Sequence, residues 1–174
     1  MLNQSLFTSN KHNWQTPTWL FKTLNDHFEF EIDVCADDNN YLCKKYFTEN
    51  NSCLNHSWSN INFMNPPYGR SIKKFIKKAH YEWQENNYTT VGLLPARTCT
   101  KWFHKYVYNQ ANIIFIKGRL KFEGGEQLAG APFPSMVAIW WGDLIYNEKK
   151  FLTDQKLFNL IEEGKINNGM YNKI

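Results

Sequence analysis

The stretch INFMNPPYGRSIKKF, residues 61–75, joins a strand signal to a helix signal through two prolines. Residues 61–64 predict a short strand, and from Ser71 onward the apolar positions follow the spacing of a buried helical stripe. Proline fixes its own φ angle and drives the preceding residue toward extended geometry, so Asn65–Pro66–Pro67 is predicted to be stiff. Because open α/β sheets bind ligands beyond the carboxyl ends of their strands, this segment is a candidate binding position.

Strands and helices alternate along the rest of the chain. Thr16 and Pro17 are predicted to open a helix over residues 14–28, as its cap and its first helical residue. Further strands are predicted within 28–36, 89–96, 112–122 and 134–141, and further helices over 71–85, 97–110 and 149–164. The alternation indicates one α/β domain over residues 13–174 with a mostly parallel sheet, preceded by a flexible arm over residues 1–12.

Composition places the chain among globular proteins. Its 174 residues are 43% hydrophobic and 17% aromatic, which argues against disorder. No apolar run approaches the ~18 residues of a membrane span, and the N-terminus has no signal-peptide core, so the expected compartment is the cytoplasm. The four cysteines contain no C-x-x-C pair, so free thiols and no metal site are predicted; they are Cys35, Cys43, Cys53 and Cys99.

The net charge of +4 hides an uneven distribution. Residues 50–122 hold eleven Lys/Arg against two acids, a local charge of +9, while the remainder holds nine basic and fourteen acidic residues, a charge of −5. A basic segment between acidic ends favours a polyanionic partner, and nucleic acid is the leading candidate. Ordinary solvated lysines are the alternative.

The Asn-Pro-Pro-Tyr segment offers hydrogen-bond acceptors in fixed directions. The side-chain oxygen of Asn65 and the backbone carbonyl of Pro66 can hold the two hydrogens of an exocyclic amine on a nucleic-acid base. Such acceptors stabilise the positive charge that grows on the nitrogen during attack. The ring of Tyr68 can stack on a base that has been pulled out of its duplex.

Further motifs accompany this segment. They are WQTPxWLF at 14–21, IDVCA at 32–36, KYFT at 45–48, NPPYGR at 65–70, LLPART at 93–98, WFH at 102–104, KGRLKF at 117–122 and APFPSM at 131–136. In this order the motifs resemble the phage-type DNA N6-adenine methyltransferase family, also called Dam-like. The similarity spans residues 13–141.

The resemblance implies a Rossmann-like methyltransferase fold, with helices on both faces of the sheet and an antiparallel edge hairpin. It implies S-adenosylmethionine as donor, S-adenosylhomocysteine as product and adenine in double-stranded DNA as acceptor. It also implies that the chain works in the cytoplasm of a bacterial host cell, or of a bacterium that carries a prophage.

The resemblance also assigns site residues. It gives catalytic roles to Asn65, Pro66, Pro67 and Tyr68, and donor-binding roles to Thr16, Pro17, Asp33, Ala36, Phe47 and Asn65. The usual glycine-rich donor loop is missing, because the chain reads DVCADDNN after its first strand; Asp37 and Asp38 are candidates for the acid that grips the donor ribose. Eight basic residues are predicted to contact DNA: Arg70, Lys73, Lys74, Lys77, Arg97, Lys101, Lys117 and Arg119.

Several alternatives stay open at this point. The same acceptors suit an N4-cytosine methylase or an RNA-base methylase, and a release-factor-type glutamine methylase also uses Asn-Pro-Pro-Tyr, although the basic segment disfavours it. The missing glycine loop favours a catalytically silent DNA-binding module that keeps the methylase shell. The sequence leaves open the DNA recognition site, the oligomeric state (a monomer is one option) and the biological role.

Overall fold

The computed structural model describes residues 14–124, 130–143 and 154–167; the arm predicted over residues 1–12 lies outside this range. Within it the chain forms four α-helices and six strands. The helices are α1 (Thr18–Phe28), α2 (Ile72–Asn86), α3 (Lys101–Tyr106) and α4 (Asp154–Asn167), and the strands are β1 (Ile32–Asp33), β2 (Lys45–Tyr46), β3 (Ile61–Met64), β4 (Thr89–Pro95), β5 (Asn112–Phe115) and β6 (Ser135–Trp140). The predicted α/β class is confirmed.

The strands form one sheet in the order β2-β1-β3-β4-β6-β5. The pairs β1–β2, β1–β3 and β3–β4 are parallel, whereas β6 is antiparallel to both β4 and β5. The connection after β1 therefore leads to β2 on one side, whereas the connection after β3 leads to β4 on the other side. Neighbouring strands whose connections leave in opposite directions create a crevice at their carboxyl ends.

The sheet is packed on both faces. Side chains alternate along the strands, so that in β4 Val91 and Leu93 belong to one apolar cluster and Leu94 to the other. Helix α1 contributes its buried residues to the first cluster, together with Leu157 and Ile161 of α4. Helices α2 and α3 pack into the second cluster. Each face of the sheet is thus covered by a pair of helices.

The structure corrects the predicted ends of three helices. Thr16 does not cap α1, and Pro17 precedes the first helical residue. Ser71 makes no capping hydrogen bond at the start of α2. Helix α3 begins only at Lys101, because the Thr100 hydroxyl accepts a hydrogen bond from the Phe103 amide and ends the preceding turn.

Gly164 does not end the last helix, which continues to Asn167. A side chain at this position would lie 2.9 Å from the Thr23 hydroxyl and 3.1 Å from the Trp19 ring. The glycine therefore marks a close approach between α4 and α1 and not a helix stop.

Candidate active site

A cavity of about 1180 Å³ lies at the crevice between β1 and β3. It exceeds the usual size of a single small-molecule pocket, which leaves room for more than one ligand. Its walls come from segments far apart in sequence: residues 14–16, 33–37, 39–42, 47–49, 52–54, 65–67, 69–71, 74, 75 and 123.

Asn65 follows β3 and lines this cavity, as the strand-end argument predicted. Its side-chain nitrogen donates to the Trp14 carbonyl over 2.6 Å and to the Thr16 hydroxyl over 2.9 Å. Its side-chain oxygen is buried and has no hydrogen-bond partner. A buried acceptor without a donor is costly unless a ligand satisfies it, so this oxygen marks a position for an incoming N–H group.

The two prolines also line the cavity, but Tyr68 does not. The Tyr68 ring is 3% exposed, and its hydroxyl donates to the Leu93 carbonyl over 3.0 Å. The rings of Phe122 and Phe133 pack edge-on against it, with centroids 5.9 and 5.4 Å away. The Tyr68 ring therefore offers no open face on which a base could stack in this conformation, because Phe122 and Phe133 pack against it.

Asp33 ends β1 and lines the cavity as a buried carboxylate. Its two oxygens accept hydrogen bonds from the amides of Cys35 (3.1 Å) and Leu42 (3.3 Å). Burial nevertheless raises the pKa of Asp33 to about 6, because the hydrogen bonds from the two backbone amides offset only part of the desolvation cost. A neighbouring cation would favour the ionised form of this carboxyl group and lower its pKa.

The loop after β1 is built without glycine. The Asp37 carboxylate accepts a hydrogen bond from the Asn39 amide (2.7 Å), and the Asn40 side chain accepts one from the Asp37 amide (2.8 Å). No residue from 34 to 42 has a positive φ angle. Side chain–backbone hydrogen bonds therefore shape a turn for which related folds use glycine.

The other predicted donor contacts divide into two groups. Thr16, Ala36 and Phe47 line the cavity, and Phe47 stacks on His56 with ring centroids 5.2 Å apart. Pro17 is buried outside the cavity as the residue before α1, so it is not brought to the site. Of the two ribose candidates, Asp37 lines the cavity, whereas Asp38 accepts a hydrogen bond from the Tyr46 hydroxyl.

Some wall residues were not singled out from the sequence. Trp14 packs against Phe122 and Phe133, and Gln15 forms an isolated antiparallel bridge with Glu123. The Glu123 carboxylate accepts hydrogen bonds from the Thr18 amide (2.6 Å) and hydroxyl (3.1 Å), which caps α1. Trp14 and Gln15 belong to the WQTP motif, but no sequence signal joins them to a residue more than a hundred positions away.

All eight basic residues predicted to contact DNA are exposed. Arg70 and Lys74 lie at the cavity wall itself. Arg97 follows β4 and Lys117 follows β5, and both strands end at the same edge of the sheet as β3. Lys78, which the DNA-contact set omits, forms an ion pair with the buried Glu82.

Two chemical alternatives can be checked on the described part of the chain. No group of three or more His, Cys, Asp or Glu residues is arranged there to hold a metal ion. No helix in the same ranges is both long and apolar enough to cross a membrane. The four cysteines are free thiols, and burial raises the pKa of Cys35, so this thiol is protonated near neutral pH.

Comparison with known proteins identifies the family. The family model of DNA N-6-adenine-methyltransferase (Dam) matches residues 4–166. The chain is 32% identical over 139 residues to the DNA N-6-adenine-methyltransferase of Haemophilus phage HP1 (strain HP1c1), covering 76% of this chain and 80% of that protein. It is 33% identical over 131 residues to the DNA N-6-adenine-methyltransferase of Escherichia phage T1, covering 65% of this chain and 54% of that protein. With a match over nearly its whole length, the chain belongs to the DNA N-6-adenine-methyltransferase (Dam) family.

Proposed function

We propose that the chain transfers a methyl group from S-adenosylmethionine to the N6 amine of adenine in double-stranded DNA, inside a bacterial cell. The observation that carries the proposal is the buried, unpaired side-chain oxygen of Asn65, a residue that lines the cavity. An exocyclic amine supplies the N–H group that this oxygen lacks. Membership of the family supports methyl transfer, and the phage relatives of that name support adenine as acceptor.

Asn65 and Pro66 act on the amine as acceptors. Both are held by the stiff proline pair, so they can stabilise the charge that develops on the nitrogen without reorganising. Each such dipole is commonly worth about 2–4 kcal/mol of barrier. S-adenosylmethionine supplies a methyl carbon activated by its sulfonium. The amine would take this methyl group as the S–C bond breaks, S-adenosylhomocysteine would leave, and water would accept the proton that the nitrogen loses.

The carboxylate of Asp33 is the candidate partner for the ammonium group of the donor. It is the buried acid at the end of β1, and an approaching cation offsets the cost of its burial. Thr16 and Ala36 are proposed to line the donor site beside it, with Phe47 against the donor adenine and Asp37 as the ribose acid.

We further propose that the whole of residues 13–174 is one domain with a Rossmann-like methyltransferase fold. The crevice between β1 and β3 and the insertion of β6 between β4 and β5 support this assignment. The basic residues at the same edge are proposed to hold the DNA phosphates, so that a base can enter from that side.

The test uses labelled donor and mixed-sequence double-stranded DNA, followed by digestion to nucleosides. We expect the label on N6-methyl-2′-deoxyadenosine alone. Label on N4-methyl-2′-deoxycytidine, or on RNA in a parallel reaction, would show that the acceptor is not adenine in DNA. No label on either nucleic acid, together with donor binding in calorimetry, would support a catalytically silent DNA-binding module.

Asn65→Ala is expected to abolish transfer, to leave donor affinity close to that of the wild type, and to lower the free energy of unfolding by about 1–3 kcal/mol without preventing folding. The substitution removes the proposed acceptor for the amine. It also removes the two hydrogen bonds that the side-chain nitrogen gives to Trp14 and Thr16. Parallel loss of donor binding would contradict the assigned role of Asn65.

A further inference from the structure

The orientation of the Asn65 amide is fixed by residues 14–16, which we call the strap. The side-chain nitrogen donates both of its hydrogens, one to the Trp14 carbonyl (2.6 Å) and one to the Thr16 hydroxyl (2.9 Å). A backbone carbonyl can only accept, so the atom that faces Trp14 must be the nitrogen. The oxygen is thereby turned to the other side, where it is buried and unpaired.

We propose that Trp14 and Thr16 are positioning residues for Asn65, a role separate from any contact they make with the donor. The inference rests on the proposed methyl transfer, because its purpose is to present an acceptor to the amine. An amide turned by 180° would aim N–H donors at the N–H groups of the base. The strap therefore selects the productive orientation before the base arrives.

The strap is itself held by a distant segment. The Glu123 amide donates to the Gln15 carbonyl over 3.0 Å, and Glu123 lines the same cavity. Thr16 is 6% exposed, so its hydroxyl is not free to exchange Asn65 for water. The amide orientation is thus set by packing and backbone pairing, and not by Asn65 alone.

A site of this construction needs an amide at position 65 and not a carboxylate. An ionised carboxylate would place an oxygen within hydrogen-bond distance of the Trp14 carbonyl, where two acceptors repel. A protonated carboxyl would restore the pattern, because its O–H donates to that carbonyl while its other oxygen stays available. Asn65→Asp should therefore be inactive when ionised and active when protonated.

The first test measures the ratio of kcat for Asn65→Asp to kcat for the wild type, at saturating donor, from about pH 5.5 to about pH 8. The expected ratio rises about tenfold for each pH unit of acidification while the new carboxyl is mostly ionised. The two enzymes share the other ionisable groups that line the cavity, so the ratio reports mainly on position 65; these groups are Asp33, Cys35, Asp37, Tyr41, Glu49, Cys53, Arg70, Lys74 and Glu123. A ratio near one at the alkaline end, or a flat ratio, would overturn the proposal.

The second test does not depend on turnover. The new carboxyl of Asn65→Asp, followed by carbon NMR across the same pH range, is expected to titrate above the usual Asp pKa of about 3.9. A pKa at or below that value would show that no acceptor faces the new carboxyl group and would contradict the inference. If this raised pKa were found but the wild type methylated no adenine, the proposed function would fail and the positioning role would stand.

Thr16 variants separate positioning from donor contact. Thr16→Val is expected to lower kcat about three- to tenfold with an unchanged KM for the donor, and Thr16→Ser is expected to restore it. Thr23→Val is the matched control, because the Thr23 hydroxyl bonds a backbone carbonyl at 2.9 Å outside the cavity. A Thr16→Val enzyme with unchanged kcat and raised donor KM would assign Thr16 to donor binding instead.

Discussion

At the scale of single residues, the cavity concentrates polar atoms that the protein leaves incompletely satisfied. The Asn65 oxygen has no donor, and burial raises the pKa of Asp33 to about 6 despite its two amide partners. Both atoms cost stability in the free protein. Unsatisfied groups of this kind are expected where a ligand later completes them.

Asp33 gives the proposed donor site a defined pH dependence. The carboxyl group must be ionised to attract an ammonium group, and with a pKa of about 6 it becomes protonated as the pH falls through that value. Donor affinity is therefore expected to fall about tenfold per pH unit below about pH 6 and to be level above it. Calorimetric titration of S-adenosylmethionine across this range checks the prediction, with Asp33→Asn expected to remove the dependence.

The raised pKa of Asp33 also makes the free energy of unfolding depend on pH, and this dependence runs opposite to that of donor affinity. Because the folded pKa lies above the unfolded value of 3.8, the free folded protein binds more protons than the unfolded chain between those two values. The contribution of Asp33 to the free energy of unfolding thus increases as the pH falls from about 6 to 3.8, by at most about 3 kcal/mol. A fall in pH over this range should therefore stabilise the folded protein through Asp33 and at the same time weaken donor binding.

At the scale of elements, α1 receives its cap from another part of the chain. Glu123 accepts from the Thr18 amide and hydroxyl, which satisfies a helix N-terminus that local residues leave open. The same residue pairs with Gln15 and holds the strap against Asn65. Glu123 thus caps α1 with its side chain and pairs with the strap through its backbone amide.

Glu123→Ala is expected to lower the free energy of unfolding by about 0.5–2 kcal/mol, the usual cost of a lost cap. It is expected to lower kcat less than Thr16→Val does, because alanine keeps the backbone hydrogen bond to the Gln15 carbonyl. Urea denaturation and methyl transfer measure the two effects. Glu85→Ala on α2 is the control, because Glu85 is exposed and its loss should change the unfolding free energy by less than about 0.5 kcal/mol. If Glu123→Ala and the wild type had equal free energies of unfolding, the Glu123 carboxylate would not stabilise α1 as a cap.

The sequence patterns predicted where the helices and strands lie better than they predicted which distant residues contact each other. Strand β3, helix α2 and the buried strand β4 were predictable, because their apolar spacing is local. The cap of α1 was misassigned to Thr16, because the true cap is a carboxylate distant in sequence. The closed environment of Tyr68 was also missed, since rings from residues 122 and 133 create it and only the fold brings them together.

At the scale of the whole molecule, charge and cavity share one edge of the sheet. The basic residues of segment 50–122 include two at the cavity wall, and Lys78 is taken up by Glu82. A polyanion that approaches this edge would therefore meet the Asn65 cavity at the same surface.

DNA affinity is expected to fall steeply with salt. If six to eight phosphates are contacted, the logarithm of the association constant should fall with that of the salt concentration at a slope of about −5 to −7. Lys73→Gln or Lys77→Gln should make the slope less negative by about one, whereas Lys22→Gln, paired with Asp26 on α1, should not change it. Fluorescence anisotropy with a labelled duplex measures these slopes, and a flat titration would contradict an electrostatic DNA face.

The position of β6 constrains when the protein can finish folding. This strand is buried along its whole length and is the only hydrogen-bonded neighbour that β5 has in the described sheet, yet it is synthesised after the other five strands of that sheet. A nascent chain that has not yet released residue 140 from the ribosome must therefore leave β4 with an open edge and β5 detached. Truncated products ending before that residue should aggregate or be degraded, because the loss of β6 exposes the edge of β4 and detaches β5.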